Sequence, residues 1–223
     1  EVPEGRIIGL IGPNGSGKTT LFNSIVGFHP IDSGSISFCG DDISKKQVPE
    51  IARLGLLRTF QQTRVYGLMT CMDNMRISVP HVNEGLREML ARHRDEVAER
   101  AEELLEFVGL YSKRHLMAGD LSFGQQKLLE FAMALMNEPR LLLLDEPTAG
   151  MTHEEVHRTT EMIREINRTA SLIVVEHDMQ FIKAIANKVT VFNQGAILVE
   201  DTMENVLKNQ QVRDVYLGKR EVA

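Results

Sequence analysis

One short join between two kinds of segment constrains this chain most. The apolar run Arg6-Ile-Ile-Gly-Leu-Ile11 leads into Gly12-Pro-Asn-Gly-Ser-Gly-Lys18-Thr19, and a helix-like stretch, Lys18–Val26, follows. Strand, glycine loop and helix in this order fit G-x-x-x-x-G-K-[ST], a phosphate-binding loop. Glycines let the backbone turn tightly enough for its N–H groups to converge on phosphate oxygens. The helix N-terminus adds the positive end of its dipole. In such a loop Lys18 reaches the β- and γ-phosphates and Thr19 holds Mg²⁺. A glycine-rich loop can also be a plain connection, but Lys-Thr between these flanks tells against that.

Strand-like and helix-like segments then alternate, which argues for a mostly parallel sheet flanked by helices. Arg6–Ile11, Leu56–Phe60, Leu141–Asp145, Leu172–Glu176 and Val189–Asn193 read as strands. Ile36–Phe38, after Asp32-Ser-Gly34, reads as an edge or antiparallel strand, and Asn193-Gln-Gly195 as a hairpin turn into Ala196–Val199. Lys18–Val26, Gly124–Asn137, Glu154–Thr169 and Met179–Asn187 read as helices. Between Thr70 and Asp120 the strand pattern stops. Leu86, Met89, Leu90, Val97, Ala101, Leu104, Leu105 and Val108 recur at helical spacing, with Arg87, Arg92, Arg94, Glu96, Glu99, Glu102 and Glu103 on a solvated opposite face. Met203–Gly218 reads as two short helices.

Further motifs narrow the class. Leu121-Ser-Phe-Gly-Gln125 resembles the LSGGQ signature of the ATP-binding cassette (ABC) family. Arg140-Leu-Leu-Leu-Leu-Asp145-Glu146-Pro-Thr resembles a Walker B strand followed by a catalytic glutamate, and Ser171-Leu-Ile-Val-Val-Glu-His177-Asp the family's switch-histidine strand. Arg58-Thr-Phe-Gln61 stands where the family has its Q-loop; Gln62 is adjacent, and resemblance to R-T-F-Q favours Gln61. These motifs run in the family's order over most of the chain.

The resemblance implies an α/β fold: a P-loop NTPase core with a mostly parallel sheet, a small antiparallel β portion and an inserted helical subdomain. The whole chain, 1–223, is then one ABC ATPase domain. Its nucleotide-binding core would be 1–69 and 121–202, its helical subdomain 70–120 and its helical tail 203–223. It further implies ATP contacts at Asn14, Gly15, Ser16, Gly17, Lys18, Thr19 and Thr20. Mg²⁺ would be held by Thr19, Gln61 and Asp145. Glu146 would polarise the attacking water, with Gln61 and His177 completing the catalytic set. Ser122, Gly124 and Gln125 would serve an ATP held by a second cassette subunit, alike or different. The helical subdomain would dock on transmembrane permease subunits.

The chain departs from the family in three ways. No adenine-stacking aromatic precedes Gly12, so the chain reads as N-terminally truncated. Base stacking contributes about 1–3 kcal/mol, so restoring such a segment is expected to tighten ATP binding. Phe123 stands where many members have glycine, which reads as subgroup identity. Ala149-Gly-Met-Thr152 replaces the common S-A-L-D loop, so Thr152 stands where an aspartate usually links two active sites. With Arg58-Thr-Phe-Gln, Glu176-His-Asp-Met and Val-Tyr-Leu-Gly218, these features resemble the cassettes of branched-chain amino acid and urea importers, the Ala-Gly-Met-Thr loop leaning to the urea type. Lipopolysaccharide-export cassettes are a related alternative.

Composition bounds the rest. A formal charge of −6 over 223 residues argues against a nucleic-acid partner. No apolar run approaches the roughly eighteen residues of a membrane span, and no secretory leader is visible, so a cytoplasmic location on the inner face of the membrane is expected. The two cysteines, Cys39 and Cys71, lack C-x-x-C spacing and suggest a reducing compartment. His153 and His157 fall on a polar helix face beside Glu154 and Glu155, which reads as solvated rather than metal-binding. A soluble cassette ATPase of translation or DNA repair is a different class. The first usually joins two cassettes, and the second needs a longer insert than the interval from Thr19 to Leu121. A GTPase would want N-K-x-D, and Asn187-Lys-Val-Thr190 fails at its last position.

Overall fold

The computed structural model describes residues 1–59, 64–79 and 87–217, without the side chains of 87–94 and 217. Its main sheet has six strands: β1 (Ile7–Ile11), β4 (Leu56–Arg58), β5 (Leu141–Asp145), β6 (Ser171–Val175), β7 (Lys188–Asn193) and β8 (Ala196–Asp201), in the order β4-β5-β6-β1-β7-β8. All neighbours are parallel except β7 and β8, the expected hairpin. A separate antiparallel pair joins β2 (Ser37–Phe38) to β3 (Asp41–Asp42). The strand ending at Phe60 is observed to Arg58; Phe60 lies outside the described residues, as do Gln61 and Gln62.

The central strands are apolar over most of their length because both faces are covered, as parallel sheets require. One face packs Leu10, Leu143, Ile173 and Val175 against Phe22 of α1 (Lys18–Ile25), its C-cap Val26 and Ile51 of α2 (Val48–Arg53). On the other face Gly9 lets α7 (Met179–Ile185) come close: a Cβ there would fall 2.8 Å from Ile182 Cγ2. The remaining helices are α3 (Cys71–Ile77), α4 (Arg87–Phe107), α5 (Phe123–Leu135), α6 (His153–Ile166), α8 (Met203–Lys208) and α9 (Gln210–Leu217).

By their contacts the residues fall into two compact units. The first comprises Glu1–Arg58, Arg140–Pro147 and the chain from Thr159 on, and so holds the main sheet with α1, α2 and α7–α9. The second comprises Thr59–Pro139 with Thr148–Arg158. In it Ala101, Leu104, Leu105 and Val108 are buried while Glu96, Glu99 and Glu103 face water, as the helical period predicts. Leu86 and the side chains of Met89 and Leu90 lie outside the described residues.

Also in the second unit, Asn74 of α3 is fully buried and organises the loop before it. Its amide oxygen accepts from the Tyr66 N–H at 2.7 Å, and its NH₂ donates to the carbonyls of Tyr66, at 3.1 Å, and Thr70, at 2.9 Å. That loop pairs with 116–119: Ala118 N–H donates to Met69 O at 2.8 Å and Gly119 N–H to Gly67 O at 3.0 Å. The two segments carry Leu68, which is 96 % exposed, together with exposed Tyr66, Met69, Leu116 and Met117.

Candidate active site

In the first unit, β1 runs into Gly12, where space excludes any side chain. A Cβ there would sit 2.1 Å from the Phe192 carbonyl oxygen and 2.8 Å from Ser16 Oγ. Gly15 and Gly17 take left-handed conformations, with φ of 76° and 103°. Gly17 caps α1 and has no side chain to bond the first-turn amides, which leaves that turn's N–H groups to an incoming anion. Asn14, Gly15, Thr19 and Thr20 are exposed, Gly17 is half-buried and Ser16 is buried. The hairpin turn steadies the loop: Gly195 N–H donates to Ser16 O at 2.9 Å.

Lys18 is 7 % exposed and folds back over its own loop, donating to Gly12 O at 2.8 Å and Pro13 O at 3.0 Å. Burial pushes its ammonium below the ordinary lysine range, while the carboxylates of Glu146 and Asp145 pull the other way. The loop thus holds a partly desolvated cation that gains from any phosphate able to replace those carbonyls.

Sheet register brings the acidic motif to the same edge. Leu10 pairs with Val175 and Val175 with Asp145, so these three form a row across β1, β6 and β5. Asp145 is buried, and its Oδ2 lies 2.7 Å from Arg58 Nη2, the two side chains being 3 % and 4 % exposed. Arg58 also donates to Asn23 Oδ1 on α1 and lies over the Phe22 ring, 5.4 Å from its centroid. Glu146 turns out of the strand at φ 50°, a left-handed conformation that costs a non-glycine residue on the order of 1 kcal/mol. Its N–H donates to Val175 O at 2.9 Å, and its Oε1 lies 3.2 Å from His177 Nε2. Asp178 then caps α7, accepting from Gln180 N–H at 2.8 Å and Phe181 N–H at 3.2 Å.

Lys18, Asp145, Glu146 and His177 therefore meet at the carboxyl edge of one sheet, where ligands of open α/β sheets bind. Thr19 hydroxyl and Asp145 carboxylate are hard oxygen donors, the type Mg²⁺ takes alongside water and phosphate oxygens. Among the described residues no group of three or more His, Cys, Asp or Glu could hold a metal by itself. Both cysteines are free, Cys39 exposed and Cys71 buried. Two residues near the site gave little sequence signal. Arg58 belongs to the R-T-F-Q string, but its partner Asp145 is distant in sequence. Tyr216 of α9 brings its hydroxyl to the Gly12 backbone, and burial pushes its phenol up to about 12.

Ser122, Gly124 and Gln125 lie in the second unit at the start of α5. Ser122 Oγ accepts from Gln125 N–H at 3.3 Å, and Gln125 Oε1 accepts from Ser122 N–H at 3.3 Å and from Lys113 Nζ at 2.9 Å. This reciprocal capping box fixes the helix start.

The sequence profile of the ABC transporter family matches residues 1–149. The high-affinity branched-chain amino acid transport ATP-binding protein BraF of Pseudomonas aeruginosa is 36 % identical, over 98 % of this chain and 89 % of its own length. The protein LivG of Escherichia coli, which bears the same description, is 34 % identical over 96 % of this chain and 88 % of its own. A nucleotide-free ATP-binding cassette from an ABC transporter superimposes with a TM-score of 0.86 at 32 % identity, over 98 % of this chain and 90 % of that one. A cassette in its ADP conformation does so with 0.83 at 30 % identity, over 98 % and 90 %. The chain belongs to the ABC transporter family and is one of its ATP-hydrolysing cassettes.

Proposed function

We propose that this cassette powers an importer of branched-chain amino acids, working on the inner face of the membrane with transmembrane permease subunits and a second cassette. Most direct support for the chemistry comes from the convergence of Lys18, Asp145, Glu146 and His177 at one sheet edge. Support for the substrate comes from relatives described as branched-chain amino acid transport proteins, at 34–36 % identity. The Ala149–Thr152 loop leans towards urea and keeps it as a second substrate reading.

ATP hydrolysis is chiefly positioning and charge stabilisation. The amides of the loop 14–20 would hold the phosphates, and Lys18 would leave Gly12 O and Pro13 O for phosphate oxygens. Thr19, Asp145 and Gln61 would hold Mg²⁺, which would supply positive charge to offset that of the phosphates. Glu146 would accept a proton from the attacking water. His177, whose Nε2 sits 3.2 Å from that carboxylate, would orient it and reach the γ-phosphate. Ser122, Gly124 and Gln125 would meet the nucleotide of the second subunit. Closure of that pair on ATP and reopening after hydrolysis is a two-state switch driven by differential affinity.

The exposed apolar strip of Leu68, Met69, Leu116 and Met117 suits a permease surface, in keeping with the absence of any membrane-spanning helix among the described residues. Purification from native membranes in mild detergent tests the role. Two multi-span proteins and a second cassette are expected to come with the chain, and a Leu68→Asp variant to lose them while keeping its ATPase. Recovery with ribosomes or DNA, or without any membrane protein, would overturn it.

A further inference from the structure

Two of the departures from the family pattern, Phe123 and Thr152, meet in one place. Phe123 opens α5 and lies against Gly150, where a Cβ would stand 2.9 Å from its Cδ1. Gly150 is left-handed, at φ 74°, so any side chain there is strained as well as crowded. Lys127 Nζ lies over the same ring, 5.6 Å from its centroid. One residue on, Gly124 faces Glu155: a Cβ there would be 3.0 Å from Glu155 Oε1. That carboxylate belongs to the start of α6, where its Oε2 accepts from Thr152 N–H at 2.8 Å and from Thr152 Oγ1 at 3.0 Å. Glu155 N–H returns a bond to Thr152 Oγ1 at 3.3 Å.

The chemistry explains why threonine stands here. Thr152 Oγ1 accepts from an amide and donates to a carboxylate at once, as a hydroxyl can. Aspartate would cap the helix equally well but has no proton for Glu155, and two carboxylates at that separation repel. Phe123 and Gly150 on one side, and Gly124, Glu155 and Thr152 on the other, tie the start of α5 to the loop 149–152.

We infer that Phe123, Thr152 and Glu155 form a clamp that moves the signature helix and the loop after Glu146 as one body. Contact of the second subunit's nucleotide with Ser122 is then felt by the loop of the same chain without the usual aspartate. Phe123, Thr152 and Glu155 are positioning residues. The functional half of this inference rests on the role proposed above for Ser122; the mechanical half does not.

Hydrogen exchange on the purified full chain tests the mechanical half. Phe123→Ala should speed exchange at the Met151 and Thr152 amides, and Thr152→Asp at the Gln125 and Gln126 amides, each about tenfold; Thr152→Ser should leave both unchanged. Exchange that changes only beside each substitution would overturn the clamp. A double-mutant cycle on turnover tests the functional half. Phe123→Ala and Thr152→Asp should each lower kcat about tenfold with KM for ATP within twofold. The double variant should be no slower than either, and Thr152→Ser should retain the rate. Multiplicative losses would overturn the coupling. Coupled exchange with no effect on turnover would leave the clamp standing and overturn its part in turnover.

Discussion

Lys18 shows how a single residue is set up for binding at a cost to folding. Its ammonium is buried and held by two loop carbonyls, and burial dominates the downward push on its pKa. A methionine of similar length fills the same space without the cost of keeping a charge out of water. Lys18→Met is therefore expected to raise the melting temperature by a few degrees, as about 1 kcal/mol does for a chain of this size, while abolishing ATP binding. Calorimetry reads both; a large fall in melting temperature would contradict it. Glu146 was legible as a carboxylate after an apolar strand. Its left-handed backbone and its bond to His177 were not, because both depend on where β6 ends beside β5. Arg58 was legible only as part of a string, since its ion pair with Asp145 spans 87 positions of sequence.

Elements whose residues repeat with a regular period were readable; elements defined by partners were not. The second half of α4 follows its helical period, and the β7–β8 hairpin follows its Asn-Gln-Gly turn. The six-residue α2 and the two-residue β3 are too short to carry a period, whereas β2 was legible from the Asp32-Ser-Gly turn before it. Thr152 stood out as a missing aspartate, yet in the fold it caps α6. Asn74 gave no signal, although it fastens the loop bearing Leu68. Asn74→Ala is expected to destabilise the protein by about 1–3 kcal/mol, because the buried amide's oxygen no longer accepts from Tyr66 N–H and the carbonyls of Tyr66, Met69 and Thr70 each lose one of their donors. An equilibrium denaturation midpoint unchanged from wild type would contradict this. The tail carries its own test. Tyr216 holds its proton more tightly folded than unfolded, so its contribution is intact below pH 10 and lost as pH rises towards about 12. Tyr216→Phe should flatten the decline of stability over that window, and an equally steep decline in the variant would contradict it.

At the scale of the whole molecule, alternation of strands and helices indicated a parallel sheet but not its order. Placement of β1 between β6 and β7 emerges only from pairing, and that order puts Gly12, Glu146 and His177 at one edge. The second unit joins Thr59–Pro139 to Thr148–Arg158, a pairing of distant stretches that no local pattern marks. Family membership was legible because its motifs are short, ordered strings. The measurement closest to the central claim compares wild type with Glu146→Gln in the purified protein, following ATP binding by calorimetry and phosphate release in parallel. With Glu146 as general base, affinity should stay within a few-fold while turnover falls at least about a hundredfold. Turnover near the wild-type rate, or loss of ATP binding with loss of turnover, would contradict that role.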